Sequence, residues 1–129
     1  MEYQLYGFIL NEEIFFDIKA ARMFRLPTNK TETVIIFCGV FFNRTMLNLF
    51  TYLLVHARKQ CVSRDELLYN IWEKNELSAS TQRLCKVINN LNEKLNALGL
   101  SEKAIVSVKG HGYILRLDGA QALYSVVNE

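Results

Sequence analysis

Over the first 42 residues, apolar positions come in short blocks: Tyr6–Leu10, Ile14–Ile18, Met23–Leu26 and Thr33–Phe42. Polar breaks separate them at Asn11-Glu12-Glu13, Lys19-Ala20-Ala21 and Pro27-Thr28-Asn29-Lys30. Blocks of this length bounded by turn formers predict four strands in an antiparallel meander. Gly39 inside the last block predicts a bulge or bend there.

From residue 43 the apolar period lengthens to that of helices. Asn43 is a fitting N-cap for a first helix running to about Ala57, with Met46, Leu47, Leu49, Phe50, Leu53 and Leu54 as its apolar face. Ser63 followed three residues later by Glu66 is a capping-box pattern, and the second helix it opens buries Leu67, Leu68 and Ile71 and runs to Trp72. After the polar stretch Glu73–Leu77, a third helix starts near Ser78–Ser80 and continues to Leu98. Its apolar residues Leu84, Val87, Ile88, Leu91, Leu95 and Leu98 fall on one stripe, and Gly99 supplies the stop. Ala104–Val108 and Tyr113–Leu117 predict a hairpin, and the glycines flanking His111 supply the positive φ of a tight turn.

The fold class is therefore α+β: an N-terminal four-stranded antiparallel sheet, three helices and a C-terminal β-hairpin. A second and third helix joined by a short turn form a helix-turn-helix, and a hairpin behind it is a wing. The predicted organisation is one domain over residues 1–117, comprising a sheet (3–42), a helical part (43–99) and a wing (104–117). Residues 118–129 read as a tail.

Half of the 129 residues are apolar and 22% are charged, which is globular composition. The net charge is only +2, but residues 43–117 carry 11 Lys and Arg against 6 Asp and Glu. That concentration of positive charge suits a polyanionic partner. Cys38, Cys61 and Cys85 have no C-x-x-C spacing and only His56 and His111 accompany them, so no metal site is expected; apolar neighbours predict three buried thiols. No triad, paired carboxylates or phosphate-binding Gly-Lys loop is present, so neither an enzyme nor a cofactor is expected. The N-terminus lacks a secretory pattern, and the longest apolar run, Val34–Phe42, is far short of the ~20 residues that span a bilayer.

Three segments in this order, Val62–Trp72 (VSRDELLYNIW), Ile88–Leu95 (INNLNEKL) and Val108–Leu115 (VKGHGYIL), resemble the OmpR/PhoB-type winged-helix DNA-binding domains, most closely the ToxR/CadC-like regulators. The likeness covers roughly residues 3–117. It implies a bacterial, cytoplasmic, sequence-specific transcription regulator, free-standing or the cytoplasmic part of a membrane-anchored protein. Its partner would be double-stranded promoter DNA, with the third helix in the major groove and the wing on the minor groove or backbone. It further implies weak self-association on DNA and contact with RNA polymerase through the turn Glu73–Leu77.

Laid on this chain, the resemblance makes Ser80, Thr81, Gln82, Arg83, Lys86, Asn89, Asn90, Lys109, His111 and Tyr113 the DNA-binding residues. Arg pairs with guanine and Asn or Gln with adenine in the major groove, while Ser80 and Thr81 at the helix's positive end suit a phosphate. Arg64 is expected to brace helices. The chain departs from the family where Asn89, Asn90 and Asn92 stand at positions that often hold arginine, and where Met46 replaces a glutamate. The asparagines, with the low overall charge, support a rival of another class, a winged-helix protein-interaction module with little intrinsic DNA affinity.

Overall fold

The computed structural model describes residues 2–27, 39–100 and 102–127. In chain order these form β1 (Glu2–Leu10), β2 (Ile14–Asp17), β3 (Arg22–Arg25), β4 (Gly39–Phe41), α1 (Arg44–His56), α2 (Arg64–Leu67), α3 (Thr81–Ala97), β5 (Ile105–Val108), β6 (Gly112–Leu115) and β7 (Ala120–Val127). The α+β class and the sequence of sheet, helices and hairpin agree with expectation. The chain divides into two compact units, residues 1–41 with 117–129, and residues 42–116.

The first unit is a five-stranded antiparallel sheet in the order β4-β3-β2-β1-β7, one strand more than the meander predicts. The fifth strand comes from the segment read as a tail, which pairs with β1 from Glu2↔Val127 to Leu10↔Ala120. Asn11 clips its start: the Asn11 N–H donates to the Gly119 carbonyl (2.7 Å) and the Gly119 N–H donates to Asn11 Oδ1 (3.1 Å). The register sets Phe8 beside Phe16 and Leu10 beside Ile14, with Met23 next to Phe16, and all five side chains are buried. On the opposite face Phe15 stacks on Tyr6 and meets Phe24 edge-on, with the Arg22 guanidinium 5.3 Å from the Phe24 ring centre. Of the block Thr33–Phe42, β4 accounts for Gly39–Phe41, and residues 33–38 lie outside the described residues. Gly39 sits in regular register opposite Phe24; the irregularity falls instead in β1, between Leu5 and Gly7.

The β1–β2 turn places Asn11 at φ 50° and Glu12 at φ 60°, both left-handed. Asn tolerates that conformation; Glu gains nothing from it. Glu12→Gly is expected to stabilise the protein by about 0.5–1 kcal/mol, read as a higher urea midpoint with an unchanged slope.

In the second unit the three helices start where the capping residues stand. Asn43 Oδ1 accepts from the Met46 N–H at 2.8 Å, Ser63 Oγ from the Glu66 N–H at 3.1 Å, and Ser80 Oγ from the Arg83 N–H at 3.1 Å. Caps of this kind contribute about 1 kcal/mol each. The second helix is α-helical only to Leu67, then widens into a π turn (Leu68–Trp72) and tightens into a 3₁₀ turn (Glu73–Asn75). Asn75 secures this irregular end by donating from Nδ2 to the Ile71 carbonyl at 3.0 Å, and Glu76 closes it at φ 60°.

The core of this unit takes Leu49, Phe50 and Leu53 from α1 and Leu84, Ile88, Leu91 and Leu95 from α3, with Ile105 and Leu115 from the hairpin. Burying each such side chain contributes roughly 1.5–3 kcal/mol.

Tyr52 on α1 donates its hydroxyl hydrogen bond to the Glu66 carboxylate, tying α1 to the second helix. Burial, then that carboxylate, pushes the phenol up to about 12. Above pH ~10 an unfolded tyrosine loses its proton, whereas the folded chain keeps it until about 12. The unfolded state therefore binds fewer protons, and stability falls as pH rises through that window. Tyr52→Phe is expected to flatten the loss, measured as urea midpoints across the alkaline range.

Candidate nucleic-acid interface

An α-helix turns roughly 100° per residue, so on α3 the residues Gln82, Lys86, Asn89 and Glu93 share one face. That face lies opposite the buried stripe Leu84, Ile88, Leu91 and Leu95, and all four of its residues are exposed. Arg83 and the partly covered Asn90 stand together on its flank, and Thr81 lies at the other side, also exposed. Three groups able to bond base edges or phosphates are thus aligned over two turns, and Glu93 ends the favourable stretch with a negative charge.

Two residues of the predicted set already have work within the protein. Ser80 is the N-cap, so its oxygen accepts from the Arg83 N–H and its hydroxyl proton remains to be offered to a phosphate. Arg83 donates from Nη1 to the Ser78 carbonyl at 3.1 Å, which holds its guanidinium against the start of the helix with donors to spare.

The hairpin brings Lys109, Gly110 and His111 to an exposed tip. The His111 N–H closes the turn on the Val108 carbonyl at 2.9 Å, and Gly110 has the φ, 79°, that a type II turn needs at its third position. Below the tip, Val62 and Tyr113 exchange backbone hydrogen bonds of 2.8 and 2.9 Å, so the residue before the Ser63 cap pairs with β6. Gly112 makes this pairing fit: it sits at φ 111°, and a Cβ there would lie 2.1 Å from the Val62 carbonyl oxygen.

Between the start of α2 and the hairpin lies an open cleft of about 540 Å³, with Ser63, Arg64 and Asp65 on one wall and Lys109, His111 and Tyr113 on the other. Cations face it from both sides, while Asp65 reduces the positive field. The Tyr113 ring is buried, and its hydroxyl lies 3.7 Å from Cys85 Sγ. Burial, then the Cys85 contact, raises the Tyr113 phenol above its ordinary value, and Arg64 opposes them. The hydroxyl therefore stays protonated at neutral pH, at a junction of α2, α3 and β6. Arg64 is exposed at the start of α2 beside this hydroxyl, while Met46 is buried in α1.

Three features escaped the reading of the sequence. Cys85 is exposed on the flank of the α3 outer face, on the side of Thr81, and Cys61 is half-buried, so the expectation of buried thiols fails for both; Cys38 lies outside the described residues. Helical phase alone places Cys85 beside the outer face, between Thr81 and Asn89, but its apolar neighbours in sequence masked it. Asn92, one of the three asparagines at arginine positions, is structural: its Nδ2 donates to the Ile105 carbonyl (3.0 Å) and its Oδ1 accepts from the Ile105 N–H (2.9 Å), clipping β5 onto α3. No local signal announces that contact across 13 positions. The third is β7.

Among the described residues no group of three or more His, Cys, Asp or Glu side chains is placed to hold a metal, and no helix is long and apolar enough to cross a membrane.

Residues 41–115 match the profile of the family described as "Transcriptional regulatory protein, C terminal". Among solved structures, the DNA-binding domain of Escherichia coli CadC superposes with a TM-score of 0.66 at 16% identity, covering 92% of this chain and 97% of that one. The DNA-binding domain of the response regulator AdeR, solved in complex with an intercistronic region, gives 0.58 at 16% identity, covering 80% and 93%. The C-terminal domain of the nisin resistance regulator NsrR gives 0.53 at 24% identity, covering 75% and 86%. No curated protein matches the sequence.

Proposed function

Because the chain belongs to the transcriptional regulatory protein C-terminal family, of OmpR/PhoB type, we propose that this DNA-binding domain recognises a specific promoter sequence through the outer face of α3. The family's domain is a non-enzymatic, response-regulator-type DNA-binding module. The observation that carries the finer reading is the alignment of Gln82, Lys86 and Asn89 on one exposed face, opposite the core stripe and beyond a capped N-terminus.

In this reading α3 enters the major groove, Asn89 and Gln82 pair with adenine edges, and Lys86 neutralises a phosphate. Arg83, Asn90, Ser80 and Thr81 flank that contact. Lys109 and His111 reach the backbone or the minor groove, and a backbone phosphate fits the cleft they share with Arg64. Tyr113 acts by holding the wing in place and offering its hydroxyl proton. The turn Glu73–Leu77, exposed throughout, is available to RNA polymerase, and neighbouring copies bind adjacent half-sites. The protein works in the bacterial cytoplasm.

A second reading, a protein-interaction module with weak DNA affinity, is favoured by one observation. The outer face of α3 has a single cation, Lys86, and ends in Glu93. Substitution separates the two readings. On a selected duplex, Lys86→Ala is expected to weaken binding to all sequences alike, with the salt dependence shallower by about one phosphate. Asn89→Ala is expected to cost about 1–3 kcal/mol on the preferred site and little on a scrambled one. Unchanged affinities for both variants would remove α3 from the interface and favour the partner-binding reading.

A further inference from the structure

Glu93 lies on the outer face of α3 with Gln82, Lys86 and Asn89. A rotation of roughly 100° per residue puts it inside the arc those three span, not at its rim. Its side chain is exposed, and among the described residues its carboxylate has neither a hydrogen bond nor an ion pair. On a helix face that touches only water such a carboxylate needs no explanation. On a face that meets DNA it does, because a duplex carries a phosphate charge about every 1.7 Å along its axis and repels it. Lys86, the cation of the same face, stands seven positions earlier, two turns away.

We infer that Glu93 is a specificity-determining residue that accepts a hydrogen bond from the N4 amine of a cytosine in the major groove. An ionised carboxylate only accepts hydrogen bonds. The major-groove edges of guanine and thymine present acceptors to it and repel it. Adenine sets its N6 amine beside the N7 acceptor, whereas cytosine offers its amine with no acceptor next to it. Gln82 and Asn89 each carry a donor and an acceptor and match adenine, so Glu93 supplies a discrimination that neither of them makes. It follows Asn89 by four residues, about 6 Å along the helix axis. That advance equals about two base-pair steps of ~3.4 Å, which places the cytosine about two pairs from the adenine opposite Asn89. Wherever no amine meets the carboxylate, its charge weakens binding, so the residue also acts against wrong sequences.

This inference rests on the proposed reading of α3, and the experiment keeps the two apart. Duplexes selected by the wild-type protein from a randomised pool define its preferred site, and the pair to which Asn89→Ala becomes indifferent marks the adenine. A C·G pair is expected about two steps from it. Exchanging that pair for T·A is expected to weaken wild-type binding about tenfold. Glu93→Ala is expected to bind both duplexes equally, and Glu93→Gln to prefer A·T at that position. Both variants are expected to bind a scrambled duplex more tightly than the wild type and to keep its urea midpoint, since the side chain holds nothing within the fold. A preferred site without cytosine there overturns the inference. So does a Glu93→Ala protein that gains affinity for every sequence and keeps the wild-type preference. In both cases an effect of Asn89→Ala leaves α3 as the reading helix. Inert Lys86→Ala and Asn89→Ala variants overturn the reading of α3 and this inference together.

Discussion

Gly112→Ala is expected to destabilise the protein by about 4 kcal/mol. A residue with a Cβ at φ 111° is strained, which costs about 1–3 kcal/mol. The added methyl would also lie 2.1 Å from the Val62 carbonyl oxygen and 2.8 Å from Ser63 Cα, and relieving such overpacking costs about 1–3 kcal/mol more. These neighbours are backbone and cannot rotate away. Relief must come from parting β6 and Val62, which breaks two hydrogen bonds and shifts the Ser63 cap. Urea unfolding measures the loss. Gly110→Ala is the control: its φ is also positive, but no atom lies within 4 Å of the added Cβ, so only the smaller strain cost of about 1–2 kcal/mol applies. Equal losses for the two variants would show that the contact with Val62 is unimportant.

Asn92→Leu is expected to cost about 2–4 kcal/mol. The substitution removes both partners of Ile105, whose residue is fully buried, and leaves its N–H and carbonyl unpaired. Each stranded group costs about 1–3 kcal/mol. Asn92→Asp separates the halves of this clip, since a carboxylate still accepts from the Ile105 N–H but has no proton for the carbonyl. Its loss should be intermediate near neutral pH. A DNA-contacting role for Asn92 predicts the opposite pattern, with stability unchanged and affinity reduced in both variants.

The helical unit could be read in the sequence because its determinants are local. Asn43, Ser63 and Ser80 cap helices from positions three residues before the donors they satisfy, and Leu84, Ile88, Leu91 and Leu95 repeat at helical spacing. The hairpin announced itself by Gly110 and Gly112. β7 was illegible for the converse reason: it is only mildly apolar, and what makes Ala120–Val127 a strand is β1, more than a hundred residues away in the chain. The second helix was placed correctly at its start but not in its form, which widens into a π turn at Leu68–Trp72. Along α3, phase identified Gln82, Lys86 and Asn89 as outward. It could not tell that Asn92 is committed to β5 or that Arg83 leans on Ser78.

The Asn92 result bears on function. Asn92 is committed to Ile105 within the fold, and Arg83 is partly engaged within the protein. On the proposed reading, the cations left for phosphates are Lys86 on α3 and Arg64 and Lys109 around the cleft. DNA binding built on so few charges is then expected to have a shallow salt dependence and to draw its selectivity from Asn89 and Gln82.

The central claim, that this surface binds DNA, is tested most directly by fluorescence anisotropy of a labelled duplex titrated with the protein at a series of salt concentrations. The expected result is binding whose log K falls linearly with log salt, with a slope of about −0.9 for each phosphate neutralised. No binding at the lowest salt, from a protein whose circular dichroism shows it folded, would contradict the account.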